Sequence, residues 1–289
     1  MRKIKVLHLE PTDVCQLACP LCARETDQEF NKSDKNHLTL TQIQQHFSDD
    51  TIRDLDKMFM CGNYGDPAAG KYTLDIYNYF RKINPKVTLG MNTNGALQTT
   101  FWWHSLGQIL NQPLDYCVFS IDGLEDTNSV YRVNSNWSKL MSNIQAFVAA
   151  GGRAHWDMLV YKHNQHQVDQ CEQLARDMGF KWFRAKVSKR GFNDRLEFPI
   201  NWQPVVTESG PIECHVLKEQ SMYLDAQGRL IPCCWLGSRQ SKFELESDFD
   251  SIQQSWITEQ PNPVCQRICS TSSTGSSFTN QWQQETSLC

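Results

Sequence analysis

Cys15, Cys19 and Cys22 stand in one short loop with the spacing C-x3-C-x2-C. Three thiolates this close can hold a metal centre, yet the loop offers no fourth, because the next cysteine is Cys61. A structural zinc site closes its tetrahedron with four protein ligands, and an ordinary [4Fe-4S] site takes four cysteines. A cubane held by these three would keep one iron open to a small molecule with its own amino and carboxylate donors. The residues alone also allow a zinc site completed by His8, Asp13 or His46. Disulfides fit poorly, since the run from Ile4 to Leu9 is broken by Lys5 and His8 and is too short for a secretory h-region. Twelve cysteines without an export signal read as metal ligation in a reducing, cytoplasmic setting.

Such a loop needs a frame to present it. Short apolar strand patterns alternate with helical ones: strands over 4–9, 57–61, 87–91, 116–121, 155–160 and 181–187, and helices beginning near Leu40, Thr73, Thr99, Trp137 and Val168. Gly151-Gly152 and Gly179 mark two helix ends. Six β/α repeats imply parallel strands joined by right-handed crossovers, so the expected fold is α/β, a partial (β/α)6 barrel over residues 1–187. Residues 188–270 then form a small β-hairpin and helix domain, and 271–289, rich in Ser, Thr and Gln, read as a flexible tail. The formal net charge of −4 and pI near 6.1 give no overall basic field, which argues against nucleic acid. No apolar stretch is long enough to span a membrane.

In parallel α/β architectures the ligand sits at the carboxyl ends of the strands. The cysteine loop follows strand one. After strand two comes 61-CGNYGDP-67, after strand three 92-NTNG-95, and strand four ends in 120-SIDG-123 with 131-YR-132 close behind. Each alone is an ordinary turn. Their recurrence at successive strand ends is the signal.

The segment 15-CQLACPLC-22 resembles the radical S-adenosylmethionine (radical SAM) superfamily, with Leu21 where an aromatic residue is usual. The resemblance implies a [4Fe-4S] cluster on Cys15, Cys19 and Cys22 whose open iron is chelated by SAM. It matches Gly62, Gly65 and Asp66 to the glycine-rich motif that receives the SAM amino group, with Asp66 in place of the more usual glutamate. Asn94 corresponds to a strand-end polar contact, and Ser120 and Arg132 to residues holding the SAM carboxylate and ribose, with Asp122 a further candidate. No residue is assigned as catalytic.

A second cysteine pattern, C-x13-G-x4-C through Cys214, Gly228 and Cys233, is followed by Cys265-x3-Cys269. Residues 222-MYLDAQGRLIPCC-234 read as a β-hairpin with a cysteine corner. The pattern resembles SPASM and twitch auxiliary-cluster domains and implies one auxiliary [4Fe-4S] cluster on Cys214, Cys233, Cys265 and Cys269, with Cys234 a buried neighbour or alternative ligand. A closed zinc ribbon is the other chemical reading. Cys61, Cys117 and Cys171 are expected to pack as small hydrophobes, and Cys289 to be exposed.

The implied activity is reductive cleavage of SAM to a 5′-deoxyadenosyl radical that abstracts a substrate hydrogen atom, in an oxidoreductase-type reaction giving oxidation or bond formation. The substrate expected is a small molecule or a short peptide, the compact chain offering no additional N-terminal domain of the kind that clasps a leader peptide. A peptide-modifying maturase that cross-links or epimerises a short peptide is the alternative enzyme, and a non-catalytic iron-sulfur or zinc protein the alternative binder. The partner implied is a reductant such as flavodoxin or ferredoxin.

Overall fold

The computed structural model describes residues 3–188, 192–201, 210–237 and 248–270. The tail at 271–289, with Cys289, lies outside the described residues. Among the described residues, eight strands form one sheet in the order β6-β5-β4-β3-β2-β1-β7-β8. They are β1 Val6–Leu9, β2 Lys57–Met60, β3 Thr88–Thr93, β4 Tyr116–Ser120, β5 Ala154–Val160, β6 Trp182–Val187, β7 Ser221–Leu224 and β8 Leu230–Ile231. The first six run parallel in sequence order, as the α/β pattern requires, and β6 and β8 are left as separate edges, so the barrel is open.

The hairpin after residue 188 extends this same sheet. Strand β7 lies parallel to β1, with Val6 opposite Ser221 and Leu9 opposite Leu224, and β8 returns antiparallel through Tyr223–Ile231 and Leu224–Leu230. Local pattern reads the hairpin correctly, but pairing with β1 across more than two hundred residues leaves no sequence signal. The boundary between β6 and the hairpin is therefore not a break in the sheet.

Alternation along each strand divides the side chains between two layers. Leu7, Leu9, Met58, Met60, Leu89, Met91, Cys117, Phe119, Trp156 and Met158 face the helices and belong to the largest core cluster. Fully burying such side chains contributes roughly 1.5–3 kcal/mol each, so this layer carries most of the fold's stability. Cys171 packs in the same layer from helix Val168–Asp177. On the opposite, inner face, Phe59, Tyr116 and Val118 form a separate cluster with Val6, Cys61 and Trp182 packed against it.

Two helices show how caps set their ends. Thr39 accepts from the Gln42 backbone N–H while the Gln42 side chain accepts from the Thr39 N–H, a reciprocal capping box that opens helix Leu40–His46. Helix Trp137–Ala149 begins on the Asn136 side chain and ends at Gly151, whose φ of +91° lets the chain reverse while Gly151 and Gly152 donate to Val148 and Phe147 carbonyls. Short helical turns at Ala23–Thr26, Asp49–Arg53 and Asn128–Tyr131 add to the expected set. They hold one turn each, too little for a periodicity to register.

Candidate functional site

The cysteine loop leaves the end of β1 and is pinned on both sides. Thr12 pairs with His37, and the Asp13 carboxylate accepts from the Asn36 backbone N–H at 2.9 Å and its side-chain amide at 2.7 Å. The Arg24 guanidinium donates to the Asp13 carbonyl at 2.5 Å and lies 5.1 Å from the centroid of the Phe30 ring. Ala18 N–H donates to the Val133 carbonyl at 3.2 Å, tying the loop to the segment after β4. Its apolar side packs into a cluster of Leu17, Cys19, Tyr131, Tyr161 and Leu196, with Cys15 and Cys22 at the margin.

The three thiols lie within mutual electrostatic reach. Burial pushes Cys15 up to about 12, and Asp66, Cys19 and Cys22 add smaller repulsive contributions. Burial also raises Cys19, against the opposing charge of Arg132. Burial thus favours the neutral thiol at Cys15 and Cys19 in the metal-free chain, and taking up a metal group there would release protons. Among the described residues no three His, Cys, Asp or Glu side chains are arranged to hold a single metal ion. The donor set at the loop is thiol only, beside an apolar wall, which fits an iron-sulfur cluster better than the mixed oxygen and nitrogen sites of harder ions.

The strand-end candidates converge on this loop. Asn94, after β3, directs its amide Nδ2 at Cys15 Sγ, 3.8 Å away, while its Oδ1 accepts from the Gln16 side chain at 2.8 Å. Asp66 fixes Asn94: Oδ2 accepts from the Asn94 backbone N–H at 2.7 Å and Nδ2 at 2.6 Å, and Oδ1 accepts from Thr93 Oγ1 at 2.7 Å and the Ala68 N–H at 2.9 Å. All four contacts of this carboxylate are thus with protein donors. Burial raises Asp66 above the usual carboxylate range in spite of them.

Arg132 sits between Cys19 and a buried acid. Its Nε donates to Asp122 Oδ2 at 2.6 Å, its guanidinium lies 5.0 Å from the centroid of the Tyr131 ring, and it bonds Cys19. Asp122 Oδ1 accepts from Leu159 N–H at 2.7 Å, so the pair is bolted to β5. Burial works against the Arg132 charge, but Asp122 and then Cys19 more than offset it and raise the group. Ser120 is half-buried at the end of β4, opposite Asp157 on β5. Burial would raise Asp157, but Lys186 and Arg184, bonded to it at 2.6 and 2.7 Å, hold it below the usual range.

Gly62 and Gly65 are required by packing. A Cβ on Gly65 would lie 1.9 Å from the Thr12 carbonyl oxygen, and one on Gly62 would lie 2.2 Å from the Gly65 oxygen. The glycine-rich segment thus presses backbone to backbone on the cysteine loop. Gly65→Ala is expected to cost on the order of 1–3 kcal/mol or more, since neither backbone yields cheaply. It should also displace the loop, which thermal unfolding and iron retention after reconstitution would measure; unchanged values in both would refute the close-packing role.

The cysteines of the second group lie within electrostatic reach of one another. Cys214 precedes the turn His215–Lys218, Cys233 follows β8, and Cys265 and Cys269 are one turn apart on helix Pro263–Cys269. Burial pushes Cys233 up to about 12, with Cys265 and Cys214 adding to it. Cys265 and Cys269 rise to about 11 by burial first, then through Cys269 and Cys214 for the former and Cys214 for the latter. Cys234 packs beside Cys233 against the same apolar cluster. Its neighbours include Cys61 and Glu10, and its carbonyl accepts from Asn63 Nδ2 at 2.7 Å.

A family profile described as the radical SAM superfamily matches residues 9–178, more than half of the chain. The chain belongs to the radical SAM superfamily. Its members catalyse radical reactions and bind a [4Fe-4S] cluster and SAM. A search of curated proteins finds no match. Among solved structures, this radical SAM chain is similar to SuiB of Streptococcus suis bound to its precursor peptide SuiA, at 13% identity over 91% of this chain and 66% of that one, with a TM-score of 0.59. It is also similar to anSMEcpe with bound AdoMet, at 13% identity over 87% of this chain and 83% of the other, again at 0.59. A structure of anSMEcpe with AdoMet and the Cp18Cys peptide matches at 12% identity, 79% and 73% coverage and 0.56. At these identities the likeness is one of fold. The chain spans about two thirds of the length of SuiB.

One participant escaped the sequence reading. Glu10, at the carboxyl end of β1, is buried and joins the glycine-rich loop to β7. Extending the strand-end rule to β1 itself, rather than only to its cysteines, would have found it. Among the described residues no helix is long and apolar enough to cross a membrane.

Proposed function

We propose that this chain binds a [4Fe-4S] cluster on Cys15, Cys19 and Cys22 together with SAM, and uses them to abstract a hydrogen atom from its substrate. The observation that carries this reading is the convergence of Asn94, Asp66 and Arg132, from three loops of one sheet, on the cysteine loop. When bound, the cluster and SAM would supply one electron and the 5′-deoxyadenosyl radical. The chain's own residues bind and orient. Asn94 donates toward Cys15, and Asp66 acts by holding Asn94 and the loop 61–67, because its own oxygens are occupied. The Arg132 charge beside Cys19 stabilises a deprotonated ligand, while its partner Asp122 keeps it in place. Tyr131, Tyr161, Leu17 and Leu196 keep water from the thiols' apolar side. Ser120, with Gly62 and Gly65, completes the set assigned to SAM.

In the same reading Cys214, Cys233, Cys265 and Cys269 hold one auxiliary [4Fe-4S] cluster of the SPASM or twitch kind. A cluster with four protein ligands would have no open iron for SAM, so these four cysteines would hold a group able to supply electron transfer or structural support. An electron acceptor there would suit a net oxidation or a bond formation, in a cytoplasmic protein fed by a flavodoxin or ferredoxin. Between a small molecule and a short peptide, the fold likeness to two peptide-bound structures supports the peptide. Fractionating a cell extract for stimulation of 5′-deoxyadenosine formation tests this. Stimulation abolished by protease treatment is the expected result, and a protease-resistant stimulant would return the substrate to the small-molecule class.

A further inference from the structure

Glu10 is 2% exposed, and both carboxylate oxygens are engaged. Oε1 accepts from the backbone N–H of Tyr64 at 2.8 Å and of Gly65 at 3.2 Å, and Oε2 accepts from the Tyr223 hydroxyl. The first pair of bonds clamps the loop between β2 and its following turn, and the third reaches the hairpin strand on the far side of β1. Gly62 is part of the same contact, since a Cβ there would lie 3.0 Å from Oε1. The Asn63 amide, 3.5 Å from the Tyr223 oxygen, fastens the loop to the Cys234 carbonyl as well. A buried acid is costly, so one that accepts three hydrogen bonds from a single loop and the neighbouring strand has a specific geometry to maintain.

We infer that Glu10 is a positioning residue for the SAM site: its carboxylate holds loop 61–67 in the binding conformation, and Tyr223 orients that carboxylate. This inference rests on the proposed role of loop 61–67 in binding SAM. The groups facing Glu10 are Tyr223 on β7, Asp225 just beyond it, and Cys234 after β8. Asp225 is itself paired with Arg229 at 2.6 Å, and burial keeps the Tyr223 hydroxyl and Cys234 thiol neutral well past neutrality. Burial pushes Glu10 up to about 7, with the Tyr223, Tyr64 and Gly65 donors opposing it and Asp225 adding a smaller rise. Protonation puts a hydrogen on an oxygen that now only accepts, and the clamp loosens.

The sign follows: the competent carboxylate form is depleted as pH falls through about 7, and apparent affinity scales with its fraction, so SAM binding by the reconstituted full chain should weaken about tenfold between roughly pH 8 and 6. E10Q keeps an acceptor oxygen for the loop but cannot ionise, so its affinity should be independent of pH. Y223F removes a donor to the carboxylate and should move the inflection to higher pH. Iron content measured alongside should match wild type in both variants. In the metal-free chain, hydrogen-exchange protection of residues 62–66 should fall with acid in wild type and stay level in E10Q, a readout independent of SAM. SAM binding with the same pH profile in wild type and E10Q would overturn the inference. Absence of SAM binding at every pH, with the exchange pattern as expected, would instead overturn the assignment of the loop to SAM and the positioning role with it.

Discussion

Replacing Cys15, Cys19 and Cys22 together with alanine is expected to remove about four irons per reconstituted chain and to abolish 5′-deoxyadenosine formation. The effect should be complete, because the three thiols are the whole donor set that the loop offers and the apolar wall beside them supplies no substitute. Thermal stability should change far less than activity. The loop is held by Asp13, Arg24 and Ala18, none of which depends on the sulfurs. Iron quantification and low-temperature EPR of the dithionite-reduced protein check it. Full iron content in the variant would refute the ligand assignment.

The second large effect concerns the auxiliary group. Replacing Cys265 and Cys269 should remove the iron that survives in the N-terminal triple variant, and in an otherwise wild-type chain it should stop substrate turnover while leaving SAM cleavage measurable. The separation of effects follows from geometry: the quartet is built on β8, the turn after Cys214 and helix Pro263–Cys269, while the SAM candidates lie at the ends of β1–β4. Metal ligation often contributes folding energy to small regions, so circular dichroism should accompany the assay. Mössbauer spectra of the triple variant distinguish the chemistry. A remaining [4Fe-4S] signal is expected, whereas tightly bound zinc without iron would make this region a structural ribbon.

Much of this was legible in the chain because the signals were local. Three cysteines in eight residues, and polar or glycine-rich turns after strands whose apolar runs are self-evident, need no knowledge of distant contacts. The open parallel sheet followed from repeated β/α alternation. What sequence could not convey was partnership. That Asp66 would spend both oxygens on Thr93, Ala68 and Asn94, and that Arg132 would settle between Asp122 and Cys19, depends on how neighbouring strand ends register. The pairing of β7 with β1 is of the same kind. Glu10 was missed because an isolated acid after a strand looks like a solvated turn residue until Tyr223 arrives from more than two hundred positions away. The surroundings of the adjacent Cys233 and Cys234 are also tertiary: Cys233 has Cys265 and Cys214 as electrostatic neighbours, and Cys234 has Cys233, Cys61 and Glu10.

The most direct test of the SAM-cleaving reading is anaerobic reconstitution with iron and sulfide, reduction with dithionite in the presence of SAM, and mass spectrometry for 5′-deoxyadenosine. The wild-type chain should form it and the Cys15, Cys19 and Cys22 triple-alanine chain should not. A wild-type chain that carries its full iron complement and leaves SAM intact, or a triple variant that cleaves it as wild type does, would contradict the reading.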